Sequence, residues 1–510
     1  MSFTDPLILV VSPSFGENDC YVPDDPARYF DVPMGEDDCF VPDEPGQFYA
    51  ISCGEDDCAC AGAPFLAAET GRCDLTSYHQ SSDLFSLALS PEFRLAMSPF
   101  SPGGPAVLNR AAWDRWQAFA VPRPLIEKTD RILAQQQLIQ PTDSRLIWQQ
   151  PRPQTLTAWL HVTNACDLDC PYCYVRKSSA RMSEAVGRKA IKAVFDTAVS
   201  HQFRQVKLKY AGGEATLHFK MIRTLHALAQ KRSAETGIGL TAVILTNGAN
   251  LRPDDVAWIK ENNIRIMVSL DGVGKLHDRL RSRRGGDGTF DRVAHTIDEL
   301  LLPQGIRPYI TMTITRANAH GAADLARWAV VERQLPVNFN LYRQNLLSAS
   351  RQELALEEET IIAGLRAAYA VIEQALPDEP ILGGLLDRVQ AAAHTHTCGV
   401  GKNYVVITHT GRLAECHMRL EDATPLPRDL FASEQPQTIH NLTVDEKEGC
   451  RDCPFRYRCT GGCPLETYRA TGRWDVKSPH CHIYKTLFPE VLRLQGLQLL
   501  KSNGFLERSN

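Results

Sequence analysis

The 510-residue sequence has no apolar run approaching the ~18 residues needed to cross a bilayer. Its early apolar stretch, Leu7 to Val11, is too short for a signal-peptide core and has no basic flank. The chain is therefore read as cytoplasmic, with no membrane partner. A basic excess is missing too: the formal net charge is −5, which speaks against a nucleic-acid surface. Cysteine is absent between positions 174 and 397, although the chain holds 16 of them. Cysteines used as core filler would scatter more evenly.

The hydrophobic fraction is 44% and the charged fraction 23%, ordinary for globular protein, and the length implies several domains. Ten cysteines fall into two tight groups, 166–173 and 398–481; the other six lie between 20 and 73. In a reducing compartment such clustering points to metal rather than to structural disulfides.

The first 70 residues contain a 19-residue repeat: Ser14–Val32, Pro33–Ile51 and Ser52–Thr70. Each copy carries Gly-Glu-(Asn/Asp)-Asp-Cys, centred on Cys20, Cys39 and Cys58. The repeats are acidic, rich in Pro and Gly, and poor in periodic apolar residues. Such composition does not offset its ordering entropy, so residues 1–73 are expected to be flexible. Residues 74–154 change character. Phe85–Leu89 and Phe93–Met97 alternate like strands and Ala106–Phe119 has helical spacing, which suggests a small α+β module.

Over 155–345, strand-like runs alternate with amphipathic helices. The runs are Thr157–Val162, Gln205–Tyr210, Ala242–Thr246, Arg265–Leu270 and Tyr309–Ile314; the helices include Ser183–Ala198, Phe219–Glu235 and Pro253–Asn262. This pattern implies βα units and an α/β fold with a parallel sheet, curved into a barrel or part of one. A helical bridge is expected over 346–397, with Gln352–Ala375 its clearest helix. A cysteine-rich domain follows over 398–490, then a C-terminal tail, 491–510.

The first cysteine group reads Cys166-Asp-Leu-Asp-Cys170-Pro-Tyr-Cys173, a C-x3-C-x2-C spacing directly after an expected strand. Three thiolates leave one iron of a cubane [4Fe–4S] cluster open to a small molecule. Structural zinc is the alternative, but it wants four ligands and no fourth stands beside the three. One βα unit later, Gly212-Gly213-Glu214 ends the next strand. Its glycines permit close backbone approach and its carboxylate suits an ammonium. Thr246-Asn247-Gly248 and Ser269-Leu270-Asp271-Gly272 also stand at strand ends, where α/β folds gather functional residues. The basic run Arg279–Arg284 follows, and Arg283 and Arg284 read as a solvated helix end. The second group runs Cys398-x12-Gly411-x4-Cys416, Cys450-x2-Cys453-x5-Cys459-x3-Cys463, then Cys481.

These motifs resemble the radical S-adenosylmethionine (SAM) superfamily, and the seven C-terminal cysteines resemble the SPASM extension of its peptide maturases. The resemblance implies a partial (β/α)6 TIM-type barrel with a C-terminal cysteine-rich SPASM domain behind an N-terminal α+β module. It implies that Cys166, Cys170 and Cys173 hold the SAM-cleaving cluster. SAM itself would be bound by Tyr172, Gly212, Gly213, Glu214, Asn247, Ser269 and Arg281, with Arg281 pairing with its carboxylate. By the same resemblance Cys398, Cys416 and Cys463 hold a first auxiliary [4Fe–4S] cluster, and Cys450, Cys453, Cys459 and Cys481 a second. Sulfatase-maturing relatives supply one more cysteine where this protein has Tyr404, so a substrate thiolate, water or another side chain is left to complete the first auxiliary cluster. They also carry a catalytic aspartate where this protein has His417, which weakens a formylglycine-forming reading. His394, His396, His480 and His482 read as surface or supporting residues rather than ligands.

The implied activity is reductive SAM cleavage. A 5′-deoxyadenosyl radical then modifies a precursor peptide or protein, giving a thioether or carbon–carbon crosslink, with a flavodoxin- or ferredoxin-type protein as electron donor. Residues 84–140 weakly resemble leader-binding modules that grip a peptide by strand addition. Cys20-x3-Asp24 and Cys39-x3-Asp43 carry the spacing at which certain maturases join sulfur to an acidic side chain; Cys58 has lost it. The repeats are thus a fused or vestigial substrate, a mimic of one, or a plain acidic tail. Rival readings are a dehydrogenating or formylglycine-forming enzyme, a non-catalytic iron–sulfur carrier, and a zinc scaffold.

Overall fold

The computed structural model describes residues 6–10, 77–101, 103–142, 152–348, 351–377, 382–390, 393–432 and 437–506. The three cysteine repeats lie outside the described residues, and so does their expected flexibility.

The N-terminal module is built around a four-stranded antiparallel sheet in the order β1 (Ile8–Val10), β5 (Ala106–Asn109), β4 (Phe93–Met97), β3 (Phe85–Ala88). β2 (Tyr78–Gln80) pairs with β6 (Ile139–Pro141) beside it. The helical spacing read over Ala106–Phe119 is corrected at its start, because Ala106–Asn109 is a strand. All four of its residues are buried, so apolar spacing there reflects a strand covered on both faces. Asn109 then turns the backbone, and its side-chain oxygen caps helix Arg110–Gln117 at the Ala112 amide. Residues 8–10, from the segment expected to be flexible, complete this sheet.

The central unit alternates strand and helix. β7 (Thr155–Thr163), β8 (Gln205–Gly212), β9 (Gly239–Thr246), β10 (Arg265–Ser269), β11 (Tyr309–Ile314) and β12 (Val337–Leu341) are parallel and stand side by side in sequence order. Helices Glu184–Ser200, Phe219–Thr236 and Pro253–Glu261 lead back between successive strands. Alternation along the strands sorts the two faces. Leu156, Ala158, Leu160 and Val162 of β7, with Val206, Leu208 and Tyr210 of β8, join the main apolar core. Trp159 and Ala211 point the other way, toward the site. β12 pairs with β11 but not with β7, so the sheet stays open as a partial barrel.

The sheet then gains three strands from the cysteine-rich region: β13 (Tyr404–Ile407) runs parallel to β7, and β14 (Arg412–Ala414) and β15 (Thr424–Pro425) follow antiparallel. Gly411, the glycine within the cysteine pattern, makes the β13–β14 turn at φ +74, a conformation few other residues adopt easily. The residues expected to be a terminal tail are corrected as well. The last helix runs Cys481–Ser502 and buries Val491, Leu492, Leu494, Leu497, Leu499 and Leu500 against helix Glu358–Gln374 and the N-terminal module.

Candidate functional site

At the C-terminal ends of the parallel strands lies an open cleft of about 1090 Å³. Cys166, Cys170 and Cys173 line it together with all seven residues expected to bind SAM: Tyr172, Gly212, Gly213, Glu214, Asn247, Ser269 and Arg281. They come from the loop after β7 and the ends of β8, β9 and β10, with Arg281 just past helix Lys275–Leu280. Burial, with nearby Glu214, pushes the Cys166 thiol up to about 12; burial pushes Cys170 to about 11, with Arg281 opposing. Half-buried thiols of this kind lose their protons on binding iron.

The glycine pair serves a closer approach than its ligand role alone suggests. A Cβ at Gly213 would stand 2.6 Å from the Ala165 carbonyl oxygen and 2.8 Å from that of Asn164. The Gly213 amide donates to the Thr163 carbonyl and the Glu214 amide to that of Ala165, both at 2.8 Å. The end of β8 is thereby sewn to the loop entering Cys166. The Glu214 carboxylate is fully enclosed and accepts from the Thr216 amide and hydroxyl, the Thr246 hydroxyl and the Asn247 amide. Burial raises its pKa against those four donors.

Three residues to which the sequence reading gave no individual role hold these groups in place. Asp271, fully buried, accepts from Arg281 Nε at 2.8 Å and from the Tyr172 hydroxyl, while its other oxygen accepts from the Thr313 amide. The Arg281 guanidinium also lies over the Tyr172 ring, 5.6 Å from its centroid. Asp167 accepts from Asn247 Nδ2 at 3.0 Å and Asn250 Nδ2 at 2.9 Å, tying the cysteine loop to the end of β9. Lys177 lines the cleft and pairs with Asp169 at 2.9 Å. Arg284 is exposed, as expected of a solvated helix end, whereas Arg283 is half-buried. Arg283 forms a β-bridge with Leu168, and the Arg284 amide donates to the Asp167 carbonyl at 3.2 Å, so their backbone clamps the cysteine loop.

A second cavity, of about 420 Å³, is lined by Cys450, Cys453, Cys459 and Cys481 among apolar Phe455, Tyr484 and Phe488. These are the four cysteines expected to act together. Burial raises Cys450 to about 11 and raises Cys459 and Cys481 too. Of the other three, Cys398 and Cys416 share one buried cluster with Tyr404. Cys398 and Cys463 both lie within electrostatic reach of Lys447, as do Cys450 and Cys459. Lys447 is 1% exposed and donates to the Thr460 carbonyl at 2.7 Å, between the two cysteine sets. No sequence signal marked it. Among the described residues, no group of three or more His, Cys, Asp or Glu side chains is arranged to hold a single metal ion. Cys166, Cys170 and Cys173 line the cleft instead, and Cys450, Cys453, Cys459 and Cys481 line the second cavity.

His417 also lines the cleft. Its ring stacks on Trp159 at 4.7 Å, and its Nδ1 lies 3.1 Å from the Tyr404 hydroxyl. His394 and His396 are buried, while His480 and His482 stand near Glu466 and Glu359.

Residues 160–319 match the Radical SAM superfamily. The protein carries a radical SAM domain. The domain is similar to that of the sporulation killing factor maturation protein SkfB of Bacillus subtilis (strain 168), 30% identical over 171 residues. That match covers 33% of this chain and 38% of SkfB, less than half of that relative's length. The antilisterial bacteriocin subtilosin biosynthesis protein AlbA of the same organism is 25% identical over 344 residues, 62% of this chain and 68% of AlbA. The PqqA peptide cyclase of Bradyrhizobium diazoefficiens is 22% identical over 385 residues, 69% of this chain and 93% of the cyclase. The solved structure of native anSMEcpe with bound AdoMet and Cp18Cys peptide shares the fold at TM-score 0.55 and 18% identity, covering 67% of this chain and 99% of that one. No described helix is long and apolar enough to cross a membrane.

Proposed function

We propose that this protein is a radical SAM peptide maturase that crosslinks a ribosomally made precursor, through a thioether or a carbon–carbon bond. The observation that carries the reading is the convergence in one cleft of Cys166, Cys170 and Cys173 with the seven SAM-binding candidates. Three cysteines on one rim suit a cluster with an open iron, and the donor set fits it: soft sulfurs, half-buried on the cleft and without a fourth protein ligand among them. A [4Fe–4S] cluster bound there supplies the electron for reductive cleavage of SAM and so a radical able to take an unactivated hydrogen.

The protein's own residues orient the cosubstrate. Arg281, fixed through Nε by Asp271, presents its guanidinium to the cleft, where a carboxylate fits. Tyr172, held by the same aspartate, offers its ring face. Glu214 lines the cleft beside Gly213, where an ammonium fits. Cys450, Cys453, Cys459 and Cys481 would hold one auxiliary [4Fe–4S] cluster, and Cys398, Cys416 and Cys463 another. Such clusters would offer an acceptor for the electron left on the substrate. A flavodoxin- or ferredoxin-type donor would reduce the first cluster.

SkfB, AlbA and the PqqA peptide cyclase, named for maturation of a sporulation killing factor, for bacteriocin biosynthesis and for peptide cyclisation, support a peptide substrate. The position after Cys416 carries a histidine packed against Trp159 and Tyr404, which speaks against formylglycine formation. Anaerobic reconstitution tests the reading. The expected product is a brown protein with about twelve irons that releases 5′-deoxyadenosine when reduced with SAM. A colourless protein, or one that leaves SAM intact, sinks it.

A further inference from the structure

The edge of the N-terminal sheet is already filled. β1 runs antiparallel to β5 with Ile8 opposite Leu108, Leu9 opposite Val107 and Val10 opposite Ala106. Asn109 fastens its start: the Asn109 side-chain oxygen accepts from the Leu7 amide at 2.9 Å, and the Asn109 amide donates to the Leu7 carbonyl at 3.0 Å. The same Asn109 oxygen caps the following helix. Both faces of the added strand are gripped. Leu9 is 8% exposed and joins Phe93, Leu95, Met97 and Val107 in the main core, which the C-terminal helix also enters. Ile8 and Val10 pack on the opposite side with Ala106, Leu108 and Phe119. Backbone pairing combined with pockets for alternate side chains is how a sheet edge recognises an extended peptide.

The three repeats come directly after this strand in the sequence. Cys20 stands ten residues past Val10, about 33 Å of extended backbone, and Cys39 has about 95 Å. A folded protein of this size has a radius of gyration of about 23 Å, so the tether to Cys20 exceeds that radius and the tether to Cys39 exceeds the width of the molecule.

We infer that Ile8–Val10 is a built-in recognition strand, and that the repeats behind it are the enzyme's own substrate, modified within the same molecule. This rests on the maturase reading above. In each modified repeat the cysteine S–H bond and one carbon–hydrogen bond of a nearby residue break, and a sulfur–carbon bond forms. The carbon-bound hydrogen leaves in 5′-deoxyadenosine, the thiol proton goes to solvent, and the remaining electron goes to an oxidised iron–sulfur cluster. One SAM is consumed per bond. The repeats at Cys20 and Cys39, each with an aspartate four residues on, are the two expected to react.

The test uses the full reconstituted protein with SAM and reductant, followed by reduction, alkylation and mass spectrometry of the fragment holding residues 14–70. The expected result is a loss of about 2 Da per bond, with Cys20 and Cys39 refractory to alkylation. Cys20→Ser and Cys39→Ser should each abolish one bond. The rate constant should stay unchanged on tenfold dilution, because the tether fixes the local concentration. Leu9→Asp, which puts a charge into the apolar seat, should cut crosslinking at least tenfold while 5′-deoxyadenosine is still released. A synthetic peptide of residues 1–32 added to that variant should then be modified in trans. SAM cleavage with no mass change in residues 14–70 overturns the inference and leaves the maturase reading standing. Equal crosslinking in Leu9→Asp overturns the role of the strand. No SAM cleavage at all removes both.

Discussion

Asp271 and Arg281 show how one buried carboxylate can set a binding surface. The pair is enclosed, with side-chain exposures of 0% and 10%, and the aspartate also holds the Tyr172 hydroxyl and the Thr313 amide. Asp271→Asn keeps the shape and an acceptor for Thr313 but weakens the charge-assisted hold on Arg281, worth roughly 1.5–3 kcal/mol. We expect SAM affinity to fall about tenfold or more, by equilibrium binding, with iron content unchanged; undiminished affinity would remove Asp271 from the positioning role. Lys447 is the counterpart at the other cysteines. Lys447→Met removes a buried positive charge between the two sets while keeping its length. A cluster held by those cysteines, as proposed, would lose a stabilising neighbour for its added electron, so its midpoint potential should drop by on the order of tens of millivolts in an EPR-monitored titration. Potentials that do not move would show the ammonium to be structural only. The cysteines and Gly212-Gly213-Glu214 were legible in the sequence because their meaning lies in local spacing. The roles of Asp271, Asp167 and Lys447 were not, because each acts through partners set by tertiary packing. Asp167, for example, meets Asn247 and Asn250 across two βα units.

At the scale of elements, the N-terminal module hangs on a polar contact between its two helices. Asp130, in helix Lys128–Gln135, accepts two bonds from Arg115 at 2.6 and 2.7 Å and two more from the Ile126 and Glu127 amides at 2.8 Å. Burial alone would raise its pKa, but the Arg115 and amide bonds outweigh it and hold it below the usual carboxylate value. A depressed folded-state pKa gives stability that is complete above the unfolded value near pH 4 and is lost as pH falls through the folded value. Asp130→Asn should therefore cost about 2–3 kcal/mol near neutrality, with the difference from the parent shrinking below about pH 4. Thermal unfolding followed against pH reads this directly, and a difference that persists unchanged at pH 2 would contradict it. Five of the six central strands were legible to within a few residues because each is a continuous apolar run; β12, Val337–Leu341, was not named, its apolar residues being interrupted by Asn338 and Asn340. β1 was not, since three residues carry no period and only β5 makes them a strand. β13 was hidden for a similar reason: its partner β7 lies some 240 positions earlier and nothing in Tyr404–Ile407 names it.

Across the whole molecule, the helix Cys481–Ser502 joins regions that look separate in the sequence. Its first residue belongs to the second cysteine cavity. Its middle is pinned to helix Glu358–Gln374 through Arg366–Glu490 and Arg493–Glu373. Near its end Gly496 lies under the N-terminal sheet, where a Cβ would stand 2.8 Å from a Leu89 methyl carbon and 2.9 Å from one of Leu95. The contact is close, and the obstructing atoms are the tips of leucines, which can shift for a methyl group but not for a whole branched side chain. Gly496→Ala should thus be nearly silent, whereas Gly496→Leu should overpack the seam at a cost of about 1–3 kcal/mol. The penalty falls on the seam between module and helix and spares the cysteine end some 15 residues away. The expected signature is accelerated proteolysis of the N-terminal module with iron content and SAM cleavage retained. Loss of iron in Gly496→Leu would instead mean that the helix transmits strain along its length, and that the module and the second cysteine cavity form one cooperative unit.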